Sequence, residues 1–407
     1  MENERVPELR FAGFSEKWDQ CKLGDLSEKV TEKNNDNIFY ETLTNSAEFG
    51  IITQRDFFEK DISNKKNLNG YYIVNPDYFV YNPRISKFAP VGPIKRNNLG
   101  RTGVMSPLYY VFRTYDVDKT YLEYYFSSNN WHRFMILNGD TGARSDRFAI
   151  KDSVFREMPI PTPLEEEQIK IGNFFKQLDN TIEFHEQELD TLKQTKQGFL
   201  QKMFPKEGES MPEIRFSGFN EKWKQYELGE CVDFYSGLTY SPKNVTETGT
   251  LVLRSSNIKN GEITDADNVY VDSIAVNSQN VEQGDVIVVV RNGSRNLIGK
   301  HALVKSTMNN TVIGAFMTGI QSNAPSFINA LLDTKQFNKE IHKNLGATIN
   351  QITTGVFKKM KFLFPSISEQ EKIGDFFKDL DDTIALHEQE LETLKQTKKA
   401  FLQKMFI

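Results

Sequence analysis

Two segments of this sequence, Glu167 to Phe204 and Glu369 to Phe406, agree at 29 of 38 positions at an offset of 202. A chain that repeats so long a segment must fold it twice, and what it builds comes in pairs. Within the first copy the positions Ile171, Phe175, Leu178, Ile182, His185, Leu189, Leu192, Lys196, Phe199 and Met203 step alternately by four and three. The second copy repeats the rhythm at Ile373, Phe377, Leu380, Ile384, His387, Leu391, Leu394, Lys398, Phe401 and Met405. This spacing is the seam of a coiled coil, so two long helices that pair along these residues are expected. His185, His387, Lys196 and Lys398 interrupt the seam, and the reading given to them is that they fix register and orientation at some cost in stability. A pH switch at the histidines is the alternative. The helices are expected to open on capping boxes, Thr162 with Pro163 and Glu165 in one and Ser368 with Glu371 in the other. At 1.5 Å per residue each is roughly 55–60 Å long.

The repeat also has a head. Pro7 to Gly24 returns as Pro212 to Gly229, with 12 of 18 positions identical, at an offset of 205. Between head and helix the two copies diverge, so a shared frame carries two different inserts. The boundaries read from this are an N-terminal head (1–24), a first insert (25–161), a central helix (162–204), a connector and second head (205–229), a second insert (230–365) and a C-terminal helix (366–407). Each insert is read as an α/β domain. In the first, strands are expected at Tyr71–Val74, Tyr78–Tyr81 and Leu108–Phe112 and a helix at Leu122–Met135. In the second, strands are expected at Leu251–Arg254, Asp285–Val290, Ala302–Lys305 and Ile313–Gly319 and a helix at Ser326–Leu345. If a pseudo-twofold relates the halves, the helices run antiparallel and the repeat is circular, with residues near Met405 returning beside Pro7.

Charge has to be counted by region. The net charge is −5, but the two helices each sum to −3, which leaves the rest near neutral. No acid occurs between Asp77 and Asp116 or between Asp285 and Asp333, and both windows hold several basic residues. A charge run is usually a solvated face, yet basic residues on glycine-bearing loops also suit phosphates and base edges. The candidate DNA contacts are Arg84, Lys87, Lys95, Arg96, Asn98, Arg101, Arg144 and Arg147 in the first insert. In the second they are Arg254, Arg291, Asn292, Ser294, Arg295 and Lys300.

Signs of catalysis are missing. Gly293 to His301 resembles a phosphate-binding loop but has five residues between its glycines and lacks the Ser or Thr that would hold Mg²⁺. Asn75-Pro-Asp-Tyr78 resembles the Asn-Pro-Pro-Tyr/Phe loop of amino-methyltransferases, with the second proline replaced. The five histidines show no metal-ligand spacing, so neither a metal nor a catalytic residue is assigned. Cys21 and Cys231 are read as buried free thiols of a reducing, cytoplasmic compartment, and no apolar run is long enough to cross a bilayer.

Taken together, the layout resembles the specificity subunit of type I restriction-modification enzymes over essentially the whole chain. Met158-Pro-Ile-Pro-Thr-Pro163 before Glu167-Gln168, and Phe364-Pro365 before Glu369-Gln370, look like that family's approach to its two helices. Tyr78 to Arg84, and Gly284-Asp-Val-Ile followed by Arg291-Asn-Gly, look like its recognition-domain strands and loops. The resemblance implies two target recognition domains, each reading one half of a bipartite, asymmetric site on double-stranded DNA, with the helices setting the gap. It implies no catalytic residue and no cofactor in this chain. Methyltransferase (modification) subunits, two of them, would dock on helices and recognition domains, and translocase-nuclease (restriction) subunits would join through them. S-adenosylmethionine, ATP and Mg²⁺ would belong to those partners. A non-catalytic protein–protein scaffold is the alternative, which leaves the two basic windows unexplained.

Overall fold

A long amphipathic helix cannot bury its stripe alone, and in this chain each repeat helix finds the other. The computed structural model describes residues 6–58, 68–141, 146–345 and 350–407. The chain divides into two compact units, Met1–Glu186 with Glu390–Ile407, and Gln187–Gln389. The long helices run Glu165–Lys202 and Ile367–Lys404, 38 residues each, so each unit takes the first part of one helix and the last part of the other. In the first unit Phe174 meets Phe401 edge-on at 5.1 Å, and Lys398 pairs with Asp179. In the second, Phe199 meets Phe376 at 5.0 Å, and Lys196 pairs with Asp381 at 2.5 Å. Early residues of one helix thus meet late residues of the other, and the paired segments are antiparallel within each unit.

The seam follows the 4,3 rhythm. Ile171, Phe175, Ile182, Leu189, Met203, Ile373, Phe377, Leu391 and Met405 are buried. Leu178, His185, Leu192, Lys196, Phe199, Leu380, Ile384, His387, Leu394, Lys398 and Phe401 are half-buried. The chain also closes on itself inside the first unit, where the Leu9 amide donates to the Lys404 carbonyl at 2.9 Å. The Ile214 amide makes the matching bond to Lys202 at 2.8 Å in the second.

The helix starts differ from the expected capping boxes. Thr162 lies in a strand, Pro159–Thr162, paired antiparallel with Asp19–Lys22, and its hydroxyl donates to the Ile160 carbonyl. Ser368 falls inside the first turn of a helix that begins at Ile367, and the Ser366 carbonyl accepts from Glu369 and Gln370 instead. A stronger partner sets these starts. Arg10 forks onto Glu167 with bonds of 2.6 and 2.7 Å, and Arg215 onto Glu369 with the same two distances. Both carboxylates are buried, and a bidentate charge-assisted pair outweighs a Ser or Thr cap. The neighbouring Gln168 and Gln370 donate back to the carbonyls of Pro163 and Pro365 at 2.8 and 3.0 Å.

Each insert is built on a four-stranded antiparallel sheet with the same strand order. In the first it runs Ser27–Lys29, Tyr110–Thr114, Phe79–Tyr81, Ile94–Arg96; in the second Asp233–Ser236, Met317–Gln321, Val286–Val289, His301–Leu303. The expected strand Leu108–Phe112 therefore lies two residues later. The expected Ile313–Gly319 is two strands, Thr311–Ile313 and Met317–Gln321, the first pairing parallel with Thr250–Leu253 in a second sheet.

Each insert helix is also two helices, Lys119–Ser127 with His132–Asn138, and Pro325–Leu332 with Lys335–Asn344. Thr334 restarts the second pair by accepting from the Phe337 amide at 3.2 Å. In the first, the Ser128 hydroxyl takes the Tyr125 carbonyl and the Trp131 indole takes those of Phe126 and Ser128. Apolar periodicity hides such breaks, because both helices keep burying the same face. The insert docks on the first turns of a long helix at a glycine. A Cβ on Gly172 would sit 3.1 Å from the Tyr121 backbone nitrogen, and one on Gly374 2.6 Å from that of Phe327.

Candidate nucleic-acid interface

The central strand of each four-stranded sheet leads into a loop of the same construction. Residues 77–96 and 284–303 correspond at a constant offset of 207: Asp77 and Gly284 both have positive φ (69° and 96°), as do Gly92 and Gly299 (83° and 87°). Arg84 and Arg291 therefore occupy one position. Both are exposed, and each is bridged antiparallel to a later segment, Arg84 to Arg147 and Arg291 to Gln351. The flanking bonds match as well. Phe148 donates to Pro83 at 2.7 Å and Ile85 to Asp146 at 3.0 Å; Ile352 donates to Val290 at 2.9 Å and Asn292 to Asn350 at 3.2 Å.

An asparagine stiffens each loop. Asn82 donates to the Asn45 carbonyl at 2.8 Å while its oxygen takes the Arg84 amide. Asn292 donates to the Ser255 hydroxyl at 3.0 Å while its oxygen takes the Ser294 amide. The Arg291 guanidinium lies over the exposed Phe316 ring, 4.9 Å from its centre, which orients it without consuming its N–H donors.

The basic residues named from sequence fall into two groups. Arg84, Lys87 and Arg147 in the first unit, and Arg291, Ser294 and Arg295 in the second, are exposed. Among the described residues no carboxylate pairs with the five basic ones. The others are engaged within the protein. Arg96 holds Asp77 through Nε at 2.8 Å and reaches Glu123 at 3.5 Å. Burial resists charge on Asp77, but Arg96 and Lys119 outweigh it and hold its carboxyl below the usual range. Lys95 is half-buried, and desolvation lowers its pKa despite Glu123 nearby. Asn98 donates to Glu123 and Arg101 forks onto Glu41 at 2.8 Å.

In the second unit Arg254 pairs with Asp267 at 2.7 Å. Lys300 donates to the Ser255 carbonyl at 3.2 Å, its pKa lowered by burial. Arg144 lies outside the described residues. An acid-free window in sequence thus does not mean an acid-free neighbourhood, since Glu41 and Glu123 come from outside it. Sequence reading missed Gln351. The signal was present in Gly142-Ala143 followed by Arg147 and Gly346-Ala347 followed by Gln351.

The model of the type I restriction modification DNA specificity domain matches this chain twice, over residues 15–194 and 220–396. The chain belongs to that specificity family. Among curated relatives, the MjaVIII type I specificity subunit of Methanocaldococcus jannaschii is 25% identical over 267 residues, 62% of this chain and 62% of its own length. The EcoKI specificity subunit of Escherichia coli is 26% identical over 195 residues, 45% of this chain and 42% of its own. The alignments therefore span less than two thirds of these relatives. Among solved structures, a type I restriction-modification S subunit from M. genitalium has a TM-score of 0.62 at 15% identity, covering 99% of both chains. A chain from a structure of type I system complex assembly and conformational transition has a TM-score of 0.57 at 15% identity, covering 96% of this chain and 97% of that one. The specificity fold is thus shared over the whole length. Its two halves are recognition-domain-like α/β units with the long helices packing together.

Proposed function

We propose that this chain is the DNA-reading subunit of a type I restriction-modification complex, each insert contacting one half of a bipartite, asymmetric site. The observation that carries the reading is the pair of loops at 77–96 and 284–303: matched at their two positive-φ ends and at the bridged arginine, different in their crowns and side chains, in a chain matched twice by the specificity family. A shared frame with divergent readers is what two unlike half-sites require. The candidate contacts are the exposed Arg84, Lys87, Arg147, Arg291, Ser294 and Arg295, with Asn292 and Lys300 bracing their loop.

No catalytic role is assigned to the chain. Methylation, ATP hydrolysis and cleavage, with S-adenosylmethionine, ATP and Mg²⁺, belong to modification and restriction subunits bound to it. The repeated frame supports two equivalent modification-subunit docking faces. Phe184 and Leu386, at matching positions of the two helices, are 57% and 55% exposed. Lys170 over Phe14 and Lys372 over Phe219, at 4.8 and 5.1 Å, repeat another surface feature. Among the described residues no helix is long and apolar enough to cross a membrane, and both cysteines are free, which supports action in the cytoplasm. The inserts at 25–161 and 230–365 are assigned as the recognition domains, with the helices Glu165–Lys202 and Ile367–Lys404 fixing the unread gap.

Genome-wide adenine methylation, in cells expressing this chain with a modification subunit against cells with the modification subunit alone, tests the reading. A bipartite motif appearing only with this chain is the expected result. No motif from a pair shown to assemble would overturn it in favour of a scaffold. Deleting about one helical turn from both long helices should change the gap of that motif and leave its half-sites alone.

A further inference from the structure

We infer that Arg147 and Gln351 are the residues that make the two recognition units choose different bases at corresponding positions, while Arg84 and Arg291 supply a contact common to both. This rests on the DNA-reading function proposed above and assigns it to particular side chains. The bonds around each bridge run from the residue after one partner to the residue before the other, Ile85 to Asp146 with Phe148 to Pro83, and Asn292 to Asn350 with Ile352 to Val290. That is the non-hydrogen-bonded pairing of an antiparallel ladder, in which two side chains leave the same face with Cβ atoms about 4.5–5.5 Å apart. The loop residue and its bridge partner are therefore presented together.

In the first unit the pair is two arginines. Like charges directly opposite one another destabilise a strand pair, and among the described residues no carboxylate pairs with either. Acceptors brought by a ligand would relieve that repulsion. A phosphate would do so, and so would the O6 and N7 edge of a guanine. In the second unit Arg291 keeps the first position, and a glutamine stands where the second arginine was. Glutamine carries one donor and one acceptor side by side, the pattern that meets N7 and N6 of adenine.

The comparison separates what is common from what differs. Both halves of any duplex have phosphates, and both units have the arginine at 84 and 291. The halves of an asymmetric site differ in base sequence, and the units differ at 147 and 351. Phosphate contacts position a reader without carrying sequence information, and base contacts carry it. Lys87 with Ser294 and Phe88 with Arg295, also unlike and exposed, lie on crowns of different shape, a turn closed by the Ser86–Ala89 bridge in one loop and a 3-10 turn at Arg295–Leu297 in the other, so only the bridged positions are presented alike in both units.

The test exchanges the two readers one at a time, Gln351→Arg and Arg147→Gln, in the full chain co-expressed with its modification subunit, and maps methylated sites. Gln351→Arg should shift one position of one half-site from A·T towards G·C. Arg147→Gln should shift one position of the other half-site in the opposite sense, by about 5- to 150-fold in preference. The conservative Gln351→Asn and Arg147→Lys should weaken those same positions without reversing them, which keeps the test valid if an exchange variant fails to fold. Arg84→Ala and Arg291→Ala should lower occupancy without altering the motif and reduce the salt dependence of duplex binding by about one ion.

An unchanged motif in both exchange variants, with duplex binding retained, overturns the assignment, and so does a change spread over a whole half-site. A wild-type chain that yields no bipartite motif would instead sink the DNA-reading function itself, so the two failures are distinct.

Discussion

The two ends of the frame repeat their central ion pair, whereas the middle of the seam surrounds its pair differently in each copy. At the helix starts Arg10–Glu167 and Arg215–Glu369 have the same two bond lengths. Along the seam Lys398–Asp179 and Lys196–Asp381 are also counterparts, but their surroundings have diverged. In the first unit Asp179 takes a second bond from the Tyr124 hydroxyl at 2.8 Å, and Lys398 lies 5.5 Å from the centre of that ring. In the second, Lys196 is shared with Asp333 at 2.6 Å, and Asp333 in turn meets the buried His301 at 3.3 Å. Head and helix are fitted to each other and are copied. The seam must also fit an insert, and it changes with the insert.

The strongest way to break this comparison is at the ends. Glu167→Ala or Glu369→Ala leaves a guanidinium stranded in a protein interior, and each should cost about 3–5 kcal/mol, read as loss of amide protection in its own unit by hydrogen exchange. Glu167 also accepts from the Trp18 indole at 3.1 Å, and Arg10 from its other arm reaches the Glu16 carbonyl. The indole of Trp223 and the corresponding Arg215 nitrogen have no hydrogen-bond partner among the described residues. The first unit should therefore lose about 1 kcal/mol more than the second. Equal losses would mean that the Trp18 indole bond contributes nothing, or that the Arg10 bond to the Glu16 carbonyl, which survives the substitution, offsets it.

A smaller contrast is expected on the seam. Lys196→Met leaves two carboxylates facing each other and should cost about 2 kcal/mol, against about 1 kcal/mol for Lys398→Met, where the Tyr124 hydroxyl still satisfies Asp179. Denaturant midpoints would rank them.

The seam also predicts that the second unit loses stability as pH rises above neutrality. Burial opposes charge on His301, but Asp333 and the Gly299 carbonyl outweigh it and raise its pKa above 6.5. A raised histidine stabilises fully below its unfolded pKa, and that stability is lost as pH rises through the folded value. Burial likewise opposes charge on Asp333, yet His301 and Lys196 hold it well below 3.8, so its contribution is present above that value and fades in stronger acid. Unfolding followed from pH 6 to 9 should show the second unit weakening, and His301→Gln should flatten the slope. The first unit has Ile94 at the corresponding position.

The smallest effect on stability is expected at Phe184→Ser and Leu386→Ser, within about 0.5 kcal/mol because both side chains are already exposed. If the proposed pair of modification subunits docks there, each replacement should nevertheless remove one subunit from the complex in a mass measurement. Full assembly with both replaced would exclude these faces as docking sites.

Much of this architecture could be read from sequence because repetition supplies its own comparison. The seam from Ile171 to Met203, the return of Lys404 to Leu9, and the central strands at Phe79 and Val286 all follow from periodicity or from matching the two copies. The helix starts did not, because Arg10 and Glu167 are partners across more than a hundred residues and no local rule points from one to the other. The site was legible as loops and illegible as charges. Arg96 and Arg101 look identical to Arg84 in a list of residues, and only packing shows that Asp77, Glu123 and Glu41 have already claimed them.

The division of the chain between its units bears on how it is made. The second unit, Gln187–Gln389, is one continuous stretch and can complete itself as that stretch leaves the ribosome. The first unit cannot. Its core includes Met405 and Phe406, with the Phe406 ring 5.5 Å from that of Tyr121 and 5.8 Å from that of Phe175. The portion synthesised earliest therefore waits, with an unfilled core, for residues some 200 positions beyond its own helix. During translation it is the part most in need of protection by chaperones.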